Sequence, residues 1–92
     1  MKKYINDIIN LLNISEEFDW KNVFENLLKQ YPIENKYFAK SILKLYGGMG
    51  SFNDLVLFKN GKLLKDENEK LDILRKKLYN SIEEYLSDNM SN

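Results

Sequence analysis

Apolar residues recur at helical spacing in separate segments of the chain. In the first, from Ile5 to Leu12, they follow the i, i+3, i+4, i+7 pattern of an amphipathic helix with one buried face. The second runs from Trp20 to Tyr31 with the same period. Pro32 limits this helix, because the residue before a proline is pushed out of the helical region.

The second helix has two candidate starts. Ser15 can cap it, with acidic residues in the first turn, or Asp19 can cap it. With Asp19 as the cap, Phe18 and Val23 take the positions of a hydrophobic staple. In either case the predicted inward stripe comprises Trp20, Val23, Phe24, Leu27, Leu28 and Tyr31.

A third helix is predicted to begin just after Pro32, with Glu34 in its first turn. Gly47 is predicted to follow its last turn, because glycine enters the left-handed conformation without a Cβ penalty. The predicted inward stripe comprises Tyr37, Phe38, Ser41, Ile42 and Leu45.

The fourth helix is the longest, predicted from about residue 67 to about residue 87 by its apolar periodicity. Asp66 can cap it, and Glu69 completes a start that resembles a capping box. The polar tail from residue 88 to residue 92 is predicted to fray. The predicted stripe comprises Leu71, Leu74, Leu78, Ile82 and Tyr85.

The segment between helices 3 and 4 changes period. An apolar run, LVLF, precedes Asn60 and Gly61, a pair that favours a hairpin because both residues tolerate positive φ. A short β-hairpin is predicted here, with an extended loop pinned by Leu55 and Leu57 as the alternative. The predicted fold is therefore mainly α: a compact bundle of about four helices in a single domain over residues 1–92.

The composition argues against several classes of function. The chain has no cysteine and no histidine, so it lacks thiolate nucleophiles, the usual general base near neutral pH and the commonest metal ligands. Charge balances at 14 basic and 14 acidic residues, whereas nucleic-acid binders need a basic face. The basic cluster Arg75–Lys77 is interpreted as a solvated helix face. We expect no enzyme activity, no cofactor, no metal and no nucleic-acid partner.

The amino-terminal segment contains no targeting or membrane signal. Its apolar residues are interrupted by Asn6, Asp7 and Asn10, whereas a secretory signal needs an unbroken apolar region. No run approaches the ~20 apolar residues of a membrane-spanning helix. A cytoplasmic protein with no membrane partner is expected.

Carboxylates concentrate at two predicted helix starts. Glu16, Glu17 and Asp19 precede or open the second helix, and Glu67 and Glu69 open the fourth. Helix dipoles favour acids at these positions. The same residues could also form an acidic patch that covers a basic partner.

Three of the four glycines lie together in the stretch from Gly47 to Asp54, GGMGSFND. The stretch lacks the Gly-Lys-Ser/Thr ending of a phosphate-binding loop. Asn53 and Asp54 are predicted to bond nearby backbone groups and fix the turn. Gly47, Gly48 and Gly50 are therefore structural candidates, and the remaining candidate contacts to a partner are Met49, Phe52, Asn53 and Asp54.

This stretch resembles the signature of a family of small, largely uncharacterised bacterial proteins. The resemblance runs from LYGGMGSFNDLVL at residues 45–57 to a helix opening like ENEKLDILR at residues 67–75, and covers about residues 38–80. The family carries no assigned activity or cofactor, so the resemblance implies no catalytic role. Small proteins of this kind resemble, by analogy, immunity proteins encoded beside bacterial toxins, including those of contact-dependent inhibition.

Two functions remain open at this point. The first is a non-enzymatic immunity or antitoxin-like protein that binds and occludes a toxin domain, using the loop and the acidic helix starts. The second is a small-ligand-binding or peptide-binding regulatory module that uses the Gly47–Asp54 loop.

Overall fold

The computed structural model describes residues 1–90 and confirms the mainly α fold. Two short 3₁₀ turns, Lys44–Tyr46 and Phe52–Asp54, lie between the third helix and the hairpin. The described residues form a compact globule whose helices and strands are α1 (Lys2–Ile14), α2 (Phe18–Gln30), α3 (Lys36–Leu43), β1 (Phe58–Lys59), β2 (Lys62–Leu63) and α4 (Lys65–Met90).

Successive helices run in opposite directions, which gives the molecule two distinct ends. At one end the backbone N–H of Lys2 donates to Glu34 Oε1 at 2.7 Å, and the Tyr85 hydroxyl donates to the Glu34 carbonyl at 3.5 Å. We call this the Glu34 end. At the other, Lys59 of β1 lies 3.6 Å from Glu16 in an ion pair between the hairpin and the α1–α2 connection. We call this the hairpin end.

The predicted apolar stripes form the core. Burying each large aliphatic or aromatic side chain stabilises the fold by roughly 1.5–3 kcal/mol. The largest side chains that are fully buried are Ile5, Ile8, Leu12, Phe24, Phe38, Ile42, Phe52, Leu57, Leu71, Leu78 and Ile82.

The start of α2 differs from both predicted starts. The helix begins at Phe18, and the Glu17 side chain caps it by accepting a hydrogen bond from the Trp20 backbone N–H at 3.3 Å. Ser15 instead ends α1 and is buried. The chain reverses at Glu16, which has a φ of +59°, so neither Ser15 nor Asp19 is placed to cap the helix.

Three side chains with a predicted packing role are exposed instead. Val23 and Phe18 both lie at the surface, so the predicted hydrophobic staple is wrong. Tyr37 of α3 is also largely exposed. The reason in each case is that α2 and α3 bury a narrower face than the full stripe, with Phe24 and Phe38 at its centre.

The third helix begins later than predicted. Asn35 caps it by accepting a hydrogen bond from the Phe38 backbone N–H at 2.9 Å. Glu34 therefore lies before the helix rather than in its first turn, and its carboxylate binds the amino-terminal end of α1.

The predicted helix-ending role of Gly47 is wrong. A 3₁₀ turn continues α3 to Tyr46, and Gly47 follows with extended backbone, at φ −99° and ψ 143°. Positive φ values occur instead at Gly48 and Gly50, at +84° and +75°. The sharp changes of direction are thus inside the loop and not at the helix end.

The hairpin is confirmed and is shorter than the sequence predicts. Asn60 and Gly61 both have positive φ, and β1 and β2 pair in antiparallel register with Phe58 opposite Leu63. The residues before Phe58 are not part of the strand, although the Leu64 backbone N–H donates to the Leu57 carbonyl at 3.0 Å.

The fourth helix extends beyond both predicted bounds. It starts at Lys65, so Asp66 lies in its first turn and is not its cap. At the other end residues 88–90 are helical, and the fraying of the tail stays a prediction. The rest of that predicted tail, residues 91–92, lies outside the described residues.

Candidate functional site

Phe52 lies at the centre of an aromatic cluster. Its ring centroid is 5.5 Å from that of Trp20, 4.9 Å from Phe24 and 5.5 Å from Tyr46. Its side chain is fully buried. The prediction that Phe52 contacts a partner therefore needs correction: in this structure its ring anchors the glycine loop to the core and presents no surface.

Asn53 and Asp54 organise the loop, as predicted. The Asp54 carboxylate accepts a hydrogen bond from the Gly50 backbone N–H at 2.9 Å, and Asn53 Nδ2 donates to the Tyr46 carbonyl at 2.9 Å. The Asp54 backbone N–H also donates to the Ser51 carbonyl at 3.0 Å. Both side chains remain exposed, so they keep unburied surface beside their structural bonds.

Arg75 fastens the loop to α4. Its Nη1 donates to the carbonyls of Phe52 and Leu55 at 2.8 and 2.9 Å, and its guanidinium lies 5.7 Å from the Phe52 ring centroid. An ion pair with Asp72 orients the guanidinium, and the side chain is 12% exposed. Interpreting Arg75 as part of a solvated basic face is therefore wrong, although Lys76 and Lys77 are exposed.

Asn68 fastens the hairpin to the start of α4. Its Oδ1 accepts from the Leu57 backbone N–H at 2.7 Å, and its Nδ2 donates to the carbonyls of Leu57 and Leu64 at 3.0 and 2.8 Å. Neither Asn68 nor Arg75 was a candidate from the sequence. Both residues lie in the segment ENEKLDILR, which the sequence analysis quotes only as part of a resemblance.

Tyr46 closes the loop from the side of α3. Its hydroxyl donates to the Arg75 carbonyl at 2.9 Å, and the residue is almost entirely buried. Burial raises the pKa of Tyr46 well above its usual value, and the Arg75 charge opposes the shift only in part. The Tyr79 ring lies 5.3 Å away, and a hydrogen bond to Glu83 raises the pKa of Tyr79.

Two surface depressions flank the loop. The larger, of about 450 Å³, lies between α4 and the Tyr46 side of the loop and is lined by Tyr46, Asn53, Arg75, Lys76 and Tyr79 among others. The smaller, of about 340 Å³, is more open and lies at the hairpin end, lined by Trp20, Gly50, Asp54, Val56 and Phe58 among others.

The hairpin end also exposes an apolar surface. Phe58 and Leu63 face each other across the two strands, and each is 57% exposed. Val56 is exposed beside them, and we call these three residues the hairpin patch. Met49, at the tip of the glycine loop, is fully exposed.

The acidic candidates lie on two helix starts that both contact the hairpin segment. Glu16 pairs with Lys59, while Glu17 caps α2 and Asp19 lies in its first turn. Glu67 and Glu69 flank Asn68, the residue that bonds the hairpin. The fold therefore brings the two acidic segments to one end of the molecule, although Glu16 and Glu17 already serve structural roles there.

Within the described part of the chain, no group of three potential ligands is placed to hold a metal ion. The helices of residues 1–90 include none that is long and apolar enough to cross a membrane.

A family model described as a domain of unknown function (DUF6966) matches residues 14–65, from the end of α1 through the hairpin to the first residue of α4. No curated protein and no solved structure matches the chain.

Proposed function

We propose that this chain, which belongs to the DUF6966 family of domains of unknown function, is a non-enzymatic protein that binds and neutralises a bacterial toxin domain. It acts in the cytoplasm by covering a functional surface of the toxin. The lack of histidine and cysteine throughout the sequence supports a binding role over a catalytic one.

The hairpin patch is the observation that carries this proposal. Phe58 and Leu63 are large, adjacent and more than half exposed, although the rest of the hairpin is tied down by Asn68 and by the Lys59–Glu16 ion pair. Apolar side chains held in place at the surface, with polar residues around them, are typical of protein interaction sites. A toxin domain would cover this patch.

Acidic residues around the patch fit a basic toxin, such as a nuclease domain. Asp19, Glu67 and Glu69 lie on the helix starts next to the hairpin and make no ion pair within the described residues. Charges at the rim of an interface mainly accelerate association and select the partner. Met49, Asn53 and Asp54 extend the contact surface along the glycine loop, and Glu16 and Glu17 add to the acidic rim.

The first experiment captures the partner with the tagged protein from a lysate of its source bacterium. Mass spectrometry should identify a stoichiometric partner that carries a toxin domain, and co-expression with that domain should restore growth. An empty capture from cells shown to express the neighbouring genes would contradict the proposal.

A surface variant then tests the site. Phe58→Ser with Leu63→Ser should abolish capture while leaving the thermal melt within a few degrees of wild type, because both side chains are already largely solvated. Ile33→Ser is the matched control: Ile33 is equally apolar and 75% exposed, but it adjoins Glu34 at the other end of the molecule. Equal loss of capture in both variants would exclude the hairpin patch as the interface.

The acidic rim is tested by charge removal. Glu67→Gln with Glu69→Gln should slow association with the toxin domain and flatten its dependence on salt concentration, with little change in the dissociation rate. An unchanged association rate would mean that these acids serve only the helix dipole of α4.

A further inference from the structure

We propose that the larger depression, between α4 and the Tyr46 side of the glycine loop, is a binding site for a small planar anion: an aromatic ring that carries a carboxylate or a phosphate. This site is separate from the hairpin patch and does not depend on the toxin-binding proposal. It places the ligand against α4, and the loop contributes one wall through Asn53.

The dimensions fit a small ligand. The depression has a volume of about 450 Å³, within the roughly 300–1,000 Å³ of sites that take small molecules. It is lined by side chains from three parts of the fold: Tyr46 at the end of α3, Asn53 in the loop, and α4 from Asp72 to Asn80. Sites of this kind commonly combine aromatic walls with a few polar groups that fix orientation.

Two tyrosines provide the aromatic wall. Tyr46 is fixed by its hydroxyl bond to the Arg75 carbonyl and by its edge-to-face contact with Phe52, so its position is set before any ligand arrives. Tyr79 packs 5.3 Å from Tyr46 but is itself partly exposed. An exposed ring that packs against a rigid ring is a surface on which a planar ligand can stack.

Lys76 provides the charge. Of the two cations in the lining, Arg75 is already committed to Asp72 and to two backbone carbonyls. Lys76 is exposed and has no ion-pair partner within the described residues. The charges of the other ionised residues in the lining, Arg75 and Asp72, cancel each other. The Lys76 ammonium is thus the group that would bind an anionic substituent.

Two amides complete the lining. Asn53 uses Nδ2 to bond the Tyr46 carbonyl, which leaves its Oδ1 to accept a hydrogen bond. The Asn80 amide makes no hydrogen bond within the described residues. Together they can bond polar atoms at the edge of the ring.

The test uses two planar anions, indole-3-acetate and adenosine 5′-monophosphate, in titrations followed by amide NMR. At least one should bind with a Kd below about 1 mM and shift the amides of Tyr46, Asn53 and residues 76–80. Indole alone, acetate and inorganic phosphate should bind much more weakly, because each offers only half of the recognised chemistry. No saturable shift in the lining with either planar anion would overturn the proposal.

Matched lysine variants identify the anion contact. Lys76→Gln should weaken binding of the planar anion by about 10-fold or more without changing the weak binding of indole. Lys77→Gln removes another exposed charge, one residue away, that does not line the depression, and should leave the affinity unchanged. Equal effects of the two variants, or inorganic phosphate binding as tightly as adenosine monophosphate, would reduce the site to non-specific charge attraction and overturn the proposal.

Discussion

Ser15 is buried with a polar atom that has no partner. Its Oγ makes no hydrogen bond to any residue that the structure describes. An unpaired buried hydroxyl costs roughly 1–3 kcal/mol. We expect Ser15→Ala to raise the free energy of unfolding by about 1 kcal/mol, measured by urea denaturation.

The matched control for this substitution is Ser41→Ala. The Ser41 hydroxyl does have a partner, the Tyr31 hydroxyl at 3.1 Å, so its removal should lower stability. A Ser15→Ala protein that is less stable than wild type would show that the Ser15 hydroxyl is satisfied in solution.

Tyr46 makes stability depend on alkaline pH. Its pKa is raised in the folded state from an ordinary value of 10.0, chiefly by burial. The stability gained from keeping the phenol neutral is complete below pH 10 and is lost as the pH rises towards the folded-state pKa. Above pH 10 this one group should cost about 1.4 kcal/mol of unfolding free energy per pH unit.

Tyr46→Phe removes this dependence. The variant should be less stable than wild type near neutral pH, by roughly 0.5–1.5 kcal/mol for the lost hydroxyl bond, and the gap should close above pH 10. Urea unfolding at several pH values measures both effects. The control is Tyr37→Phe, which removes an exposed tyrosine and should lose stability above pH 10 as wild type does. If the unfolding free energy of Tyr46→Phe fell with pH in parallel with that of wild type, Tyr46 would not be the source of the alkaline loss of stability.

At the level of elements, the glycine loop contains two kinds of glycine. Gly47 has a negative φ that any residue can adopt, whereas Gly50 has a φ of +75°. A Cβ at either position would meet no atom within 4 Å, so backbone conformation alone separates them. Gly50→Ala should lose about 1–2 kcal/mol, and Gly47→Ala should be neutral or gain about 0.4–1 kcal/mol by restricting the unfolded chain.

Thermal and urea unfolding of the two alanine variants distinguish these effects. Equal destabilisation by both would mean that the loop needs Gly47 for a reason other than its backbone angles.

The hairpin depends on one side chain of the neighbouring helix. An isolated two-stranded hairpin is marginal in water, and Asn68 makes three hydrogen bonds to the backbone around it. Asn68→Ala leaves those groups without their partner and should cost about 2–4 kcal/mol. Hydrogen exchange should show faster exchange at the Leu57 amide before the helices open.

Asn80→Ala is the control for this prediction. Asn80 lies on the same helix, is exposed and makes no hydrogen bond within the described residues, so its loss should change stability by less than about 0.5 kcal/mol. Normal protection at the Leu57 amide in Asn68→Ala would refute the role given to Asn68.

At the level of the whole molecule, Phe52 connects the elements that surround the loop. Its ring contacts Trp20 and Phe24 of α2, and its carbonyl accepts from Arg75 of α4. Phe52→Ala should cost about 3–5 kcal/mol, a large part of the ~5–15 kcal/mol that stabilises a small domain. Helical circular dichroism should then show a melt at much lower temperature.

Met49→Ala, three residues earlier in the same loop, is the control. Its side chain is fully exposed, and its removal should leave the melt unchanged. If Phe52→Ala were as stable as wild type, burial of the Phe52 ring would not stabilise the fold. Phe52 would then again be a candidate contact to a partner.

The local features of this fold follow from the sequence. Apolar periodicity places the four helices, and Asn60-Gly61 places the hairpin turn, because both signals depend on residues within a few positions of each other. Helix ends were less well predicted, because several side chains near each end can cap a helix, and which of them does so depends on the path of the chain. The residues that cap α2 and α3 in the structure are Glu17 and Asn35.

The roles of the loop residues follow from contacts between distant segments. From the sequence alone Phe52 is predicted to be an exposed loop residue, but in the fold α2 and Tyr46 enclose it. Arg75 is likewise predicted to be a surface charge, but it donates to two loop carbonyls that lie more than 19 positions away in the sequence. Burial and hydrogen bonding of this kind are set by which elements meet in space. The apolar stripes therefore specify the bundle, while the packed fold determines which loop residues anchor it and which remain at the surface.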